Sequence, residues 1–169
     1  MAELTQLHDD IAARVSSIRS GQPDWLCRRG CDGCCRRLAE IPRLTADEWA
    51  LLRVGLAALP AEQLLELAQA LAELAGQTAR PIICPLLELA SGACRVYAYR
   101  PVACRTYGFY VQRELGLYCH DIQARVADGM LADVVWGNQD AVDHRLQGLG
   151  VSLELTEWFK RWQAGEDNA

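Results

Sequence analysis

Four cysteines fall within nine positions of one another, in the order Cys27-x3-Cys31-x2-Cys34-Cys35. Spacings this short let a tight turn aim successive thiolates at one centre, which is how zinc and iron-sulfur loops are built. Gly30 and Gly33 suit such a loop, because a chain folding back around an ion needs residues tolerant of positive φ. Neighbouring Cys34 and Cys35 cannot pair with each other without backbone strain, so the set is a poor disulfide framework. Their adjacency points to two centres or a bridged one. Cys84, Cys94, Cys104 and Cys119 are more widely spaced. A lone buried cysteine is ordinarily a small hydrophobe, but an octet divided four and four supplies two tetrahedral sites.

All-thiolate ligation selects zinc, cuprous copper or iron-sulfur clusters over magnesium, calcium or manganese. The short spacings and a shell supplied wholly by protein favour zinc, one ion or two, and the Cys84-Pro85 step is compatible with a 4Fe-4S cluster as the alternative. Eight thiolates around two zinc ions carry a formal excess of about four negative charges, costly to bury unless cations or amide donors surround it. Arg28, Arg29, Arg36 and Arg37 flank the first group, and Arg95, Arg100 and Arg105 the second. Arginines there would stabilise thiolates and orient the ligands, the alternative being a solvated face.

The elements that must hold these residues follow from periodicity. Leu4, Leu7, Ile11, Val15 and Ile18 mark an amphipathic helix that Gly21 and Pro23 stop. Residues 25–37 have neither helical nor alternating period and read as a loop. Thr45 and Glu48 have capping-box spacing, with Trp49, Leu52, Leu56 and Leu59 following at helical intervals. Pro60 suits a first helical position, and Leu64, Leu67, Leu71 and Leu74 run to a stop at Gly76. The result is a helical hairpin over about 45–76 inserted between the cysteine groups.

Gly92 marks a turn, residues 95–99 read as a short strand, and Pro101 opens a short helix carrying Cys104 and Arg105. Ile122, Val126, Met130 and Val134 form one helical stripe, Asn138 caps another helix, and a last one passes through Trp158 and Trp162. Trp25, Trp49, Trp136, Trp158 and Trp162 read as core anchors, with Trp25 shielding the first cysteine loop from water. The expected fold is mostly α, a single small domain spanning 1–169, with irregular cysteine-rich loops and at most a short β element.

Of the 169 residues 51% are hydrophobic and 23% charged, the profile of a globular domain. No apolar run reaches the ~20 residues of a membrane span. Glu3, Asp9 and Asp10 stand where a secretory signal needs positive charge followed by an apolar stretch, so a cytoplasmic location is expected. In that reducing compartment clustered cysteines serve metal or redox chemistry. A net charge of -5 argues against nucleic acid as a partner, since that role usually needs a basic face.

The joint pattern Cys27-x3-Cys31-x2-Cys34-Cys35, Cys84-Pro85-x-Leu87 and Gly92-x-Cys94-x2-Tyr97-x2-Arg100-Pro101-x2-Cys104-Arg105 resembles the bacterial YkgJ-type cysteine-cluster family of zinc- or iron-chelating proteins, over about 27–119. The chain departs from that family by one extra residue between its first two cysteines. The resemblance implies that all eight cysteines chelate metal, with Tyr97, Arg100, Pro101 and Arg105 supporting the bound group. The region is also similar to that of flagellin lysine N-methylases, which are linked to an iron-sulfur cluster.

Three classes of function remain. A non-catalytic metalloprotein would use the ion to knit loops to the helices, and metal ions would be its partners. An iron-sulfur enzyme of group transfer would need an iron free of cysteine, and the sequence has no glycine-rich phosphate loop, Gly-x-Ser-x-Gly or His-Glu-x-x-His string. An adaptor for nucleic acid or protein would use the arginine-rich loop with Tyr97, Tyr99, Tyr107 and Tyr110. His8 and His144 read as surface residues, and His120, next to Cys119, as a substitute ligand or loop orienter.

Overall fold

The computed structural model describes residues 1–113 and 115–166. Helix α1 (Ala2–Gly21) buries Leu4, Leu7, Ile11 and Ile18, which share one face of a helix with 3.6 residues per turn. Two further helices, α2 (Ala46–Ala57) and α3 (Ala61–Ala75), make the expected hairpin. The capping box at its start is complete: Thr45 Oγ1 accepts from the Glu48 N–H at 3.3 Å, and the Thr45 N–H donates to Glu48 Oε2 at 2.9 Å. Pro60 lies one position ahead of α3 and serves as its N-cap.

Four shorter helices complete the seven among the described residues: α4 (Val102–Thr106), α5 (His120–Ala127), α6 (Gln139–Leu146) and α7 (Leu155–Ala164). Asn138 caps α6 through its side chain, which accepts from the Ala141 N–H at 3.2 Å. The strands are all two or three residues long. β1 (Arg43–Thr45) pairs antiparallel with β7 (Ser152–Glu154), setting Leu44 opposite Leu153. β2 (Leu87–Glu88) and β3 (Ala93–Cys94) form a hairpin. β4 (Tyr110–Gln112) lies between antiparallel β5 (Leu115–Gly116) and parallel β6 (Gly137–Asn138).

Two expected elements are corrected. Residues 95–99 are not a strand: pairing ends at Cys94, and Tyr97–Tyr99 is a 3-10 turn. Its Tyr99 ring lies on Gly55 of α2, where an added Cβ would stand 2.4 Å from the ring, so packing against the helix overrides strand propensity. The stripe from Ile122 to Val134 is also broken. α5 ends at Ala127, Gly129 takes a φ of 72°, and Met130 is exposed, leaving Ile122 as the buried residue of that helix.

Side chains collect in two cores. The first joins Leu44, α2, α3 and α7, with the Trp49 and Trp158 rings stacked at 5.9 Å and Trp158 Nε1 donating to the Leu44 carbonyl at 2.8 Å. Leu52 and Leu56, fully shielded there, contribute about 2 kcal/mol each by burial. The second joins α1, Val102, Ile122, Val142 and Leu149 to Trp25, whose ring stacks on Phe109 at 5.5 Å. Helix α2 serves both, since Leu51 packs on the second core while Trp49, Leu52 and Leu56 fill the first. No helix among the described residues is long and apolar enough to cross a membrane.

Candidate metal centre

The first cysteine loop is turned by its own backbone. Cys31 N–H donates to Arg28 O at 3.0 Å, Arg36 N–H to Asp32 O at 3.0 Å and Arg37 N–H to Cys34 O at 3.2 Å. Arg36 Nε also bonds Asp32 Oδ2 at 2.5 Å. Gly30 takes a φ of 89° as the turn requires, whereas Gly33 does not adopt positive φ, a correction to the expected role of both glycines.

Main-chain pairing then brings the second group alongside. Leu38 and Ile82 exchange N–H···O bonds of 3.0 and 2.9 Å, and the Cys84 N–H donates to Cys35 O at 2.7 Å. The β2–β3 register sets Cys94 opposite Leu87. Cys104 rides on α4, whose first N–H, that of Val102, donates to Glu48 Oε1 at 2.9 Å. Glu48 therefore ties the start of α2 to the helix that carries Cys104. Cys119 is the N-cap of α5.

Cys84 and Cys94 pack against the first core, and Cys27 and Cys119 against the second, so the cysteine groups draw on both. All eight cysteines are free thiols, Cys31 exposed and the others half-buried. Cys34 Sγ is 3.9 Å from Cys35 Sγ, close to the ~3.8 Å edge of a tetrahedron with zinc-sulfur bonds of about 2.3 Å. Among the described residues no three Cys, His, Asp or Glu side chains are gathered tightly enough to hold a metal ion. Closing a shell would therefore require side chains to turn within the existing backbone.

The thiols act on one another. Burial first, then the sulfurs of Cys31, Cys119 and Cys34, push Cys27 up to about 12. The hydrogen bond from Cys34 holds Cys35 down, but its bond to Cys84, burial and the charges of Cys84 and Cys94 outweigh it and leave it at about 12. Cys104 rises to about 12 by burial and then by Cys35, Cys94 and Cys34. Cys34 is raised chiefly by its hydrogen bond with Cys35 and by burial. Crowded, buried thiols of this kind favour the neutral form until a cation arrives to stabilise the thiolates.

The flanking arginines divide. Arg95 turns away to Glu66, at 3.0 Å, and Arg36 to Asp32. Arg100 lies over the Tyr97 ring, its Cζ 3.5 Å from the centroid, and Arg105 Nε donates to the Arg100 carbonyl at 2.8 Å. These three residues line a cavity of about 230 Å³ together with Cys27, Cys31, Cys34, Cys104 and Cys119.

His8 lines the same cavity, with Nε2 buried and unpartnered. Burial and then the charge of Arg105 lower it to about 4. It is not the surface residue its polar neighbours suggested; its position four after Leu4 and three before Ile11 is the signal that places it on the buried stripe. Tyr107 also lines the cavity, raised to about 12 by burial and then by Cys34, Cys119 and Cys27. Tyr110, by contrast, is buried in the second core, which removes it from any basic aromatic surface. His120 and His144 are exposed, and His120 sits 3.8 Å from Asp121 rather than among the cavity-lining residues.

One backbone approach is unusually close. Gly108 has a φ of 85°, and a Cβ there would lie 2.3 Å from Cys27 Sγ. Gly108→Ala should displace that sulfur and lower metal content per chain by roughly half while costing about 1–3 kcal/mol of stability. Elemental analysis and a thermal melt check this, and full metal content would show that Cys27 contributes little to ligation.

A search of curated proteins and of solved structures gives no match. A family model does match residues 26–122, more than half of the chain, and takes in all eight cysteines. With free thiols of both groups acting on one another, the chain belongs to the CxxCxxCC family, the "putative zinc- or iron-chelating domain".

Proposed function

We propose that the chain is a non-catalytic, cytoplasmic metal-binding protein holding zinc or iron through Cys27, Cys31, Cys34, Cys35, Cys84, Cys94, Cys104 and Cys119. The observation that carries this reading is that eight free thiols from distant segments come close enough to act on one another. Their mutual electrostatics support a division into Cys27, Cys31, Cys34 and Cys119 on one side and Cys35, Cys84, Cys94 and Cys104 on the other, meeting at the Cys34–Cys35 step. Arg100 and Arg105, fixed on Tyr97 and on backbone carbonyls, would offset the excess thiolate charge.

Zinc would supply a redox-inert cross-link between the loops and the two cores. A second reading, an iron-sulfur enzyme with an open iron, is favoured by the cavity beside five of the cysteines. Anaerobic purification followed by elemental analysis and a visible spectrum separates them. A colourless protein with about two zinc ions per chain supports the first. Brown protein with iron and labile sulfide fits the second and also the iron form of the first, and a change of its spectrum on adding a small ligand for an iron free of cysteine supports the second; a chain that takes up neither metal overturns both.

A further inference from the structure

The cavity beside the sulfurs has two unlike walls. One is built by the apolar Ile11 and Val15 of α1 with Phe109, over whose ring Arg19 lies at 5.3 Å; the other carries Arg100 and Arg105, Arg28 also lines the cavity, and among the described residues no Asp or Glu does. Both guanidiniums are held by backbone. Arg100 donates through Nε to Tyr97 O at 2.9 Å, and Arg105 through Nε to Arg100 O at 2.8 Å and through one terminal nitrogen to Ala98 O at 2.6 Å. Both terminal nitrogens of Arg100 and one of Arg105 make no hydrogen bond among the described residues. His8 adds a buried Nε2 that likewise lacks a partner.

Two backbone-held cations with unused planar donors, joined on the lining by Arg19 and Arg28 and by no carboxylate among the described residues, are built to receive an anion, and a carboxylate meets such a fork with two parallel hydrogen bonds. A volume of about 230 Å³ is below the ~300–1,000 Å³ of drug-sized sites, so the occupant is small. We propose that this cavity binds a small organic carboxylate beside the metal centre, with its anionic head on Arg100 and Arg105, its apolar part on Ile11, Val15 and Phe109, and a polar substituent at His8. The inference rests on the thiolate-metal reading, because metal turns the neutral thiols into bound thiolates that share these cations with any anion, and so sets how much positive charge is left for it.

Calorimetric titration of the metal-loaded chain at low ionic strength, with acetate, butyrate, 2-oxobutyrate and inorganic phosphate as probes, tests this. Butyrate should bind saturably and about fivefold tighter than acetate, through its extra methylenes. Phosphate, which leaves the apolar wall uncovered, should bind about tenfold more weakly than butyrate. Arg105→Gln should weaken butyrate about tenfold, and Arg105→Lys, which keeps the charge but loses the fork, by an intermediate factor. His8→Leu should weaken 2-oxobutyrate about fivefold while leaving butyrate within about twofold. A fully metal-loaded chain that gives no saturable heat with any carboxylate overturns the proposal alone. Phosphate binding as tightly as butyrate, or arginine variants that lose metal and carboxylate together, also overturn it by assigning the cations to other charges. A chain that takes up no metal at all sinks the preceding reading instead.

Discussion

Chelating the metal should free the eight thiols to a thiol reagent and loosen residues 27–37 and 84–119, while α2 and α3 remain helical. Those helices bury Trp49, Leu52, Leu56, Leu67, Leu71 and Leu74 against α7, a core on which Cys84 and Cys94 pack only from outside its buried residues. The first cysteine loop has backbone turns but little apolar content of its own, whereas residues 84–119 lend Leu86, Val96, Val102, Phe109 and Tyr110 to the two cores, so loosening there should centre on the cysteines and the turns beside them. A structural zinc contributes about 10–16 kcal/mol of apparent binding energy, as much as the whole ~5–15 kcal/mol stability of an ordinary domain. Thiol titration should therefore change from protected to fully reactive, with amide exchange accelerating in the two loop segments and far-UV circular dichroism falling by less than about a quarter. Equal thiol reactivity before and after chelation would refute it.

The stripped chain should also respond to alkali. Cys27, Cys35 and Cys104 are raised from an ordinary 9.0 to about 12, so the fold favours their neutral form. The stability they contribute is complete below pH 9 and is lost as pH rises toward 12. With metal bound the same sulfurs are already thiolates, and that loss should be absent.

Glu48→Ala should be the most damaging single change away from the sulfurs. Glu48 is buried, accepts from Thr45 N and Thr45 Oγ1 through one oxygen, and accepts from Val102 N through the other. Removing it deletes a cap worth about 1 kcal/mol and leaves buried N–H groups unpaired at about 1–3 kcal/mol each. The expected total is about 3 kcal/mol, a fall of roughly 6–12 °C in Tm for a chain of this size. Because Val102 opens the helix that carries Cys104, metal content should fall too. Glu48→Gln, which keeps one acceptor, should lose about half as much, and a melt of Glu48→Ala within about 0.5 kcal/mol of the unaltered chain would contradict the linkage.

Where local rules dominate, the residues could be read directly. The Thr45 capping box, the Asn138 cap, the hairpin and the short helix after Pro101 all depend on interactions within one or two turns, and all are present. What periodicity could not convey was pairing between distant segments. Nothing local to Cys84 says that its N–H will meet Cys35 O, and nothing near Tyr99 says that a glycine on α2 leaves room for its ring. The polar neighbours Asp9 and Asp10 hide the place of His8, whose own position falls beside the buried face of α1. Sequence proximity groups the arginines of the second cysteine set, yet Arg95 leaves for Glu66 while Arg100 and Arg105 stay beside Tyr97.

Helix α2, with Leu51 turned to one core and Leu52 to the other, is a party wall. A bulkier side chain on either face must move the wall into its neighbour's room, because close-packed interiors have no slack to absorb it. Neither half can then be redesigned in isolation: substitutions tolerated singly on opposite faces should prove non-additive together.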